Sequence, residues 1–293
     1  MELRPLGTTG LPVSAVGLGA GRIGGADSSE TEVDTLVAAA LDLGVTLVDT
    51  APSYGFSEER LGRALSGRRE RVVLSTKLGY GIPGVPDWTG PCIAAGVDAA
   101  LSRLRTDRID LAHLHSCGIE VLERGEVVDA LRRAVDAGKV RVAAYSGEGE
   151  ALLWAVRSGA FGAVQCSVSP VDQSSLSAAV AEAGLRGLGV LGKRPLGNAP
   201  WRFRDRPPEV DVAEAWERFR SLALDAGGLG WTELFARFAA FAPGVSAVLL
   251  GTASPGHLAE VVAAVERGPL DPAAVESLRA AWRRVGSRWT GRV

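Results

Sequence analysis

The chain has 293 residues, 46% hydrophobic and 23% charged, with 32 basic against 34 acidic side chains and a formal charge of −2. That balance excludes a polyelectrolyte tail and a general binder of nucleic acid or anionic membranes, both of which need a basic excess. No apolar run approaches the roughly 20 residues of a membrane-spanning helix, and the opening MELRPLGTTGLPV lacks the charged and apolar regions of a secretory signal. Three scattered cysteines, Cys92, Cys117 and Cys166, suit neither a disulfide framework nor a metal cluster. The expectation is a reduced, cytoplasmic, metal-free globular protein whose length fits one large α/β barrel or two smaller domains.

In chain order, strand-like runs alternate with helical ones. Glu2 to Pro12, with Thr8-Thr9-Gly10 as its turn, reads as a small hairpin. Ala15 to Gly19 reads as a first strand. Val33, Leu36, Val37, Ala40 and Leu41 then keep helical spacing over Ser29 to Leu43. Ser29 with Glu32 forms a capping box, and Gly44 supplies the left-handed stop. Further strands are expected at Val45–Asp49, Arg71–Lys77, Ile109–His115, Val140–Ser146, Ala163–Val168, Arg186–Gly192 and Val245–Gly251. Helical runs fall between them, near Ser57–Leu65, Pro91–Leu104, Glu123–Ala137, Glu150–Ser158, Ser174–Ala183, Asp211–Asp225 and Trp231–Ala242. Ser254-Pro255 and Asp271-Pro272 each cap and open a late helix, with proline where the first turn tolerates it.

Eight strands, each followed by helix, is the count of a (β/α)₈ barrel. The expected architecture is a single domain over residues 1–293, a TIM barrel with an N-terminal hairpin cap and an extra C-terminal helix. The competing architecture is a doubly wound sheet, supported by Gly19-Ala-Gly21-Arg-Ile-Gly24 after a strand. That fingerprint needs its glycines to open a helix, whereas Gly25-Ala-Asp-Ser-Ser intervenes here. Asp49 also lies about 30 positions after Gly19, against roughly 20 in the fingerprint. The glycines are therefore read as a flexible loop at the barrel mouth.

Catalytic groups of such barrels sit at the C-terminal ends of strands and in the loops that follow. Strand two ends in Asp49 with Tyr54 in its loop, strand three in Lys77, and strand four in His115. An acid, a phenol, an amine and an imidazole at one mouth form a proton-transfer set. A phenol is a weak acid near neutrality. An adjacent ammonium favours its anion, a carboxylate holds the ammonium, and a neutral imidazole orients a carbonyl oxygen. No side chain donates hydride, so a nicotinamide or flavin is implied.

The run Asp49-Thr-Ala-Pro-Ser-Tyr54-Gly-Phe-Ser-Glu-Glu-Arg-Leu61-Gly-Arg-Ala-Leu65, followed by Ser-Thr-Lys77 and Ile109-Asp-Leu-Ala-His-Leu-His115, resembles the aldo-keto reductase family nearly position for position. The likeness extends from the opening Leu-Gly-Thr-Thr-Gly-Leu to Gly251-Thr-Ala-Ser-Pro-Gly-His257-Leu-Ala-Glu260. It implies Tyr54 as general acid, Lys77 as the ammonium that assists it, Asp49 as partner of Lys77, and His115 as the group orienting the carbonyl. It also implies NAD(P)H bound across the barrel mouth without a Rossmann fold.

The same resemblance assigns Ser146 and Gln165 to the nicotinamide amide, although Gly147 replaces the asparagine that usually follows that serine. Thr252 and Glu260 fit the cofactor pattern, Gly251 stands where some members place a lysine, and Gly19 and Gly21 complete the expected cofactor contacts. His257 stands where many members carry an arginine for the adenosine 2′-phosphate, and imidazole is a weaker phosphate partner than a guanidinium fork. Lys193 and Arg194 supply positive charge nearby. NADP(H) is the favoured cofactor, with NAD(H) the alternative. Arg22, Trp88, Trp201 and Trp289 are the expected substrate-binding residues. His113 is read as a hydrogen-bonded core residue and Cys117 as a small apolar filler. The expected activity is hydride transfer between NAD(P)H and a small carbonyl or alcohol. Its rivals are a catalytically silent nicotinamide-binding subunit and a phosphate-handling barrel isomerase or lyase. The sequence leaves the natural substrate and the oligomeric state open.

Overall fold

The computed structural model describes residues 1–291. An antiparallel hairpin, β1 (Leu3–Pro5) and β2 (Pro12–Ser14), comes first. Eight parallel strands then close into a barrel. They are β3 (Val16–Gly19), β4 (Leu47–Asp49), β5 (Val73–Leu78), β6 (Ile109–His115), β7 (Val140–Ser146), β8 (Ala163–Ser167), β9 (Gly189–Lys193) and β10 (Ala247–Gly251). Each pairs with the next, and β10 returns to β3. The outer ring comprises α1 (Glu30–Asp42), α2 (Ser57–Ala64), α3 (Gly90–Leu104), α4 (Ile119–Glu123), α5 (Glu126–Asp136), α6 (Gly149–Arg157), α7 (Ala181–Leu185), α8 (Val210–Leu222), α9 (Trp231–Ala240) and α10 (Pro255–Glu266), with α11 (Pro272–Val285) added at the end. Among the described residues no helix is long and apolar enough to cross a membrane.

Local signals in the sequence become visible contacts. Ser29 Oγ accepts from the Glu32 amide while Glu32 accepts from the Ser29 amide, so the capping box starts α1. Thr89 and Asp271 cap α3 and α11, each with proline in the first turn. Three expectations change. The helix expected over Glu123–Ala137 begins later, as α5 from Glu126, and a separate short helix, α4, ends at Glu123 ahead of it; Gly125 between them has a φ of 77° that a side chain would resist. The run expected as a helix over Ser174–Ala183 is a π-turn at Leu176–Val180 that leads into α7. The glycine segment after β3 is no flexible loop but a 3₁₀ turn, Ala20–Gly24, packed under the loop that follows β4.

The pleat decides what fills the barrel. Alternate residues of a strand face one side. Leu47, Val73, Leu111, Val142, Ala163, Leu191, Ala247 and Leu249 form one buried cluster with Leu6, Leu11 and Val13 of the hairpin segment, which plugs the floor. A larger cluster joins the opposite strand faces to the helices. Each fully buried aliphatic side chain contributes about 1.5–3 kcal/mol, so both layers favour closure. Two or four residues further along the same inward rows come Asp49, Ser75, Lys77, His113, His115, Ser146, Gln165 and Lys193. The barrel is thus apolar at its floor and polar at its C-terminal mouth.

Candidate active site

Lys77 and Asp49 are both buried, and they meet through Nζ and Oδ2 at 2.5 Å. Lys77 also donates to the Thr50 carbonyl at 2.8 Å. Burial alone pushes the Asp49 carboxyl up and the Lys77 ammonium down, but their mutual attraction outweighs it, leaving Asp49 below and Lys77 above its ordinary value. Asp49 Oδ1 accepts from the Ser75 hydroxyl at 2.7 Å and from Gln165 Nε2 at 3.2 Å. With its own proton directed at Asp49, the Ser75 oxygen accepts from His113 Nε2 at 3.1 Å. His113 is thus the hydrogen-bonded core residue expected, and burial pushes it down to about 4.

Lys77 Nζ lies 5.1 Å from the centroid of the Tyr54 ring. His115 approaches the same ring edge-on at 6.4 Å. Burial, then the charges of Lys77 and Lys193, push the His115 imidazole down to about 3. At neutral pH it therefore offers an N–H and a lone pair rather than a charge.

The Tyr54 loop is held by the residues around it. The Ser57 hydroxyl donates to the Ala20 carbonyl at 2.8 Å, and Arg60 donates to the carbonyls of Ile23 and Gly25. Thr76 and Arg103 clamp Glu58 at 2.5 and 2.6 Å, fixing α2 against β5 and α3. A Cβ at Gly24 would overlap the Tyr54 carbonyl, and one at Gly62 would overlap the Arg103 carbonyl. Much of the motif between Asp49 and Leu65 therefore works mechanically, seating one phenol at the mouth.

A cleft of about 1570 Å³ opens over these groups. It exposes Asp49, Tyr54 and His115 together with the expected cofactor residues Gly19, Gly21, Gln165, Lys193, Arg194, Gly251, Thr252, His257 and Glu260. Arg22 and Trp201 also line it. Ser146 does not: it is fully buried and donates to Gln165 Oε1 at 2.9 Å. Trp88 and Trp289 are not lining residues either. Trp88 packs behind Tyr80 at 5.9 Å, and Trp289 packs on Trp282 at 5.5 Å. Both belong to loops whose direction composition does not encode. The two cations expected to add charge arrive compensated, Lys193 by Glu148 at 3.4 Å and Arg194 by Asp211 at 3.1 Å.

Gly147 is explained by its neighbour. A Cβ there would overlap the Tyr145 hydroxyl, which donates to the Cys117 carbonyl at 2.8 Å, so an asparagine has no room. The acid beside it faces elsewhere: Glu148 is buried and accepts from the Ser167 amide at 2.6 Å and the Ser175 hydroxyl at 2.9 Å. Cys117 is buried, with its thiol pushed up to about 12 by burial, as suits a filler. Sequence reasoning missed Tyr80 and Ser53, which line the cleft and bond to each other at 2.9 Å. Their available signal was position, in the loops after β5 and β4. Among the described residues no group of three or more His, Cys, Asp or Glu side chains is placed to hold a metal ion.

The family model for the aldo/keto reductase family matches residues 15–283. L-galactose dehydrogenase of Arabidopsis thaliana is 30% identical over 283 residues, covering 90% of this chain and 88% of that protein. Aldo-keto reductase YhdN of Bacillus subtilis is 36% identical over 163 residues, covering 50% of this chain and 47% of that protein, so the match spans about half of that relative. The holo-form structure of an aldo-keto reductase from Bacillus halodurans superposes with a TM-score of 0.84 at 25% identity, covering 96% of each chain.

Proposed function

The chain belongs to the aldo/keto reductase family, and on that premise we propose that it is an oxidoreductase moving hydride between NAD(P)H and a small carbonyl or alcohol, with Tyr54 as the proton donor. The observation that carries the reading is the buried Asp49–Lys77 pair, with its ammonium 5.1 Å from the Tyr54 ring at the floor of the cleft. In carbonyl reduction Tyr54 gives its hydroxyl proton to the substrate oxygen. Lys77 stabilises the phenolate left behind, and Asp49 keeps Lys77 charged and in place. His115, neutral, donates an N–H to the same oxygen without adding charge.

NAD(P)H supplies the hydride when bound, and the cleft has the chemistry to hold it. Its volume of about 1570 Å³ exceeds the range of about 300–1,000 Å³ usual for a single small ligand. Gly19, Gly21 and Gly251 leave bare backbone on one wall, and Arg22, Arg194 and Arg202 are among the lining residues. Ser254 caps α10, whose first turn carries His257 at the cleft edge. That helix N-terminus favours an anion, which supports NADP(H) over NAD(H). A single catalytic domain working in the cytoplasm on a small-molecule substrate completes the proposal. Trp201, Arg22 and the hydroxyls of Ser53 and Ser116 at the mouth favour a polar substrate.

The test is oxidation of NADPH and NADH, followed by the loss of reduced-nicotinamide absorbance, against a panel of aldehydes, ketones and sugars. The reverse reaction is followed with NADP⁺ or NAD⁺ and alcohols and sugars, L-galactose among them. Turnover with at least one carbonyl or alcohol is expected. Tight NADPH binding with none across the panel would favour a silent nicotinamide-binding subunit, and sugar-phosphate binding without nicotinamide would favour an isomerase.

A further inference from the structure

Tyr80 follows β5 by two residues, between Gly79 and Gly81, and folds back over the cleft. Its ring lies 5.5 Å from the His115 ring, and its hydroxyl is hydrogen-bonded both to His115 Nδ1 and to the Ser53 hydroxyl. The position is built rather than incidental. Trp88 backs the Tyr80 ring at 5.9 Å, and the Trp88 amide donates to the Gly79 carbonyl at 2.7 Å. A side chain at Gly79 would overlap the Trp88 ring, so the turn carrying Tyr80 closes only on glycine.

We propose that Tyr80 is a positioning residue for carbonyl reduction: its hydroxyl donates to Nδ1 of His115 and so fixes the imidazole as the tautomer with its proton on Nε2, the atom left to donate to the substrate oxygen. This rests on the reductase reading given above. A neutral imidazole has one N–H and one lone pair, and a partner at one nitrogen decides what the other carries. Burial and the neighbouring lysines keep His115 neutral, and burial likewise raises Tyr80 above its ordinary value, so the phenol keeps its proton. With the Tyr80 proton directed at Nδ1, the Tyr80 oxygen accepts from Ser53. The donors then run head to tail, Ser53 to Tyr80 to His115 to substrate, an arrangement in which each hydrogen bond polarises the next. Tyr80 touches neither proton nor hydride in transit, which separates its role from that of Tyr54.

The test reads the tautomer directly. Long-range ¹H–¹⁵N correlation spectra of the cofactor-free protein are recorded for wild type, Tyr80→Phe and Ser53→Ala, with His115→Gln to assign the ring. Steady-state kinetics and NADPH titrations run in parallel. Phenylalanine keeps the ring that packs on Trp88, so Tyr80→Phe tests the hydroxyl alone. Wild type should show one tautomer, protonated at Nε2. In Tyr80→Phe a population protonated at Nδ1 should appear, kcat should fall about tenfold, the worth of one hydrogen bond, and NADPH affinity should stay within about twofold. A wild-type spectrum protonated at Nδ1, or a Tyr80→Phe spectrum and kcat indistinguishable from wild type, overturns the proposal. Because the spectra need neither cofactor nor substrate, they decide the tautomer even if no carbonyl is turned over, a result that would count against the reductase reading instead.

Discussion

Asp49 and Lys77 are each tolerable inside the barrel because the other is there. Removing one partner from such a pair leaves an uncompensated buried charge, typically a loss of about 3–5 kcal/mol. The same polar layer holds two histidines that burial keeps neutral, His113 at about 4 and His115 at about 3. The sign of their effect on stability follows from linkage. An unfolded imidazole titrates near 6.5, so as pH falls the unfolded chain takes up these protons first. The stability due to the neutral rings is fully present above about 6.5 and is lost as pH falls towards about 4 and then about 3. Thermal melts from about pH 7.5 to about pH 5 should therefore show a smaller drop in Tm for His113→Asn than for wild type. Equal drops would mean that His113 does not titrate as its burial requires. That Asp49, Tyr54, Lys77 and His115 would gather at one end of the barrel was legible because each sits at or just after a strand end. Tyr80 was not, because nothing in Gly79-Tyr80-Gly81 says which way the loop folds, and that direction depends on Trp88 packing behind it.

At the scale of elements, the 3₁₀ turn Ala20–Gly24 and the loop before α2 form one unit. The turn accepts hydrogen bonds from Ser57 at Ala20 and from Arg60 at Ile23, while Gly24 leaves room for the Tyr54 carbonyl. Gly24→Ala should cost about 1–3 kcal/mol through forced backbone displacement, and should lower kcat by moving Tyr54. Gly25→Ala is the control: its Cβ meets nothing within 4 Å, so its effect should stay within about 0.5 kcal/mol. Urea unfolding with kcat measurements separates them, and equal effects would contradict the packing role of Gly24. The strands were readable because alternation and apolar runs report the pleat directly. The turn was not, because the four glycines in Gly19–Gly25 have no side chains to carry a periodic pattern. The break between α4 and α5 was hidden for a related reason: the acids Glu123 and Glu126 suit either side of a helix start, and only the backbone at Gly125 separates them.

Across the whole molecule, the eight-strand count, hairpin floor and extra terminal helix were all legible, since each βα unit repeats one pattern of buried strand and amphipathic helix. The long loops over the mouth were not. Trp201 reached the cleft through an aromatic cluster with Trp231 and Phe235, whereas Trp88 and Trp289 found other partners. Charge at the cleft is likewise a property of the assembled fold, since Glu148 and Asp211 compensate Lys193 and Arg194. With those cations paired, a guanidinium at the start of α10 should add substantially to phosphate binding. His257→Arg is expected to tighten NADPH binding by about tenfold, or ~1.4 kcal/mol, and to change NADH binding little. Fluorescence titration of both cofactors checks this, and equal shifts for the two would remove the 2′-phosphate from the account.

On the proposed reading, one phenol at the barrel mouth, Tyr54, protonates the substrate oxygen while the rest of the site holds its partners. Its most direct measurement is kcat for Tyr54→Phe with the best carbonyl of the panel, alongside the Kd for NADPH. Loss of a general acid predicts a fall in kcat of roughly 10²–10⁴-fold, with the Kd within about twofold of wild type. A Tyr54→Phe enzyme that turns over at the wild-type rate would mean that Tyr54 is not the proton donor.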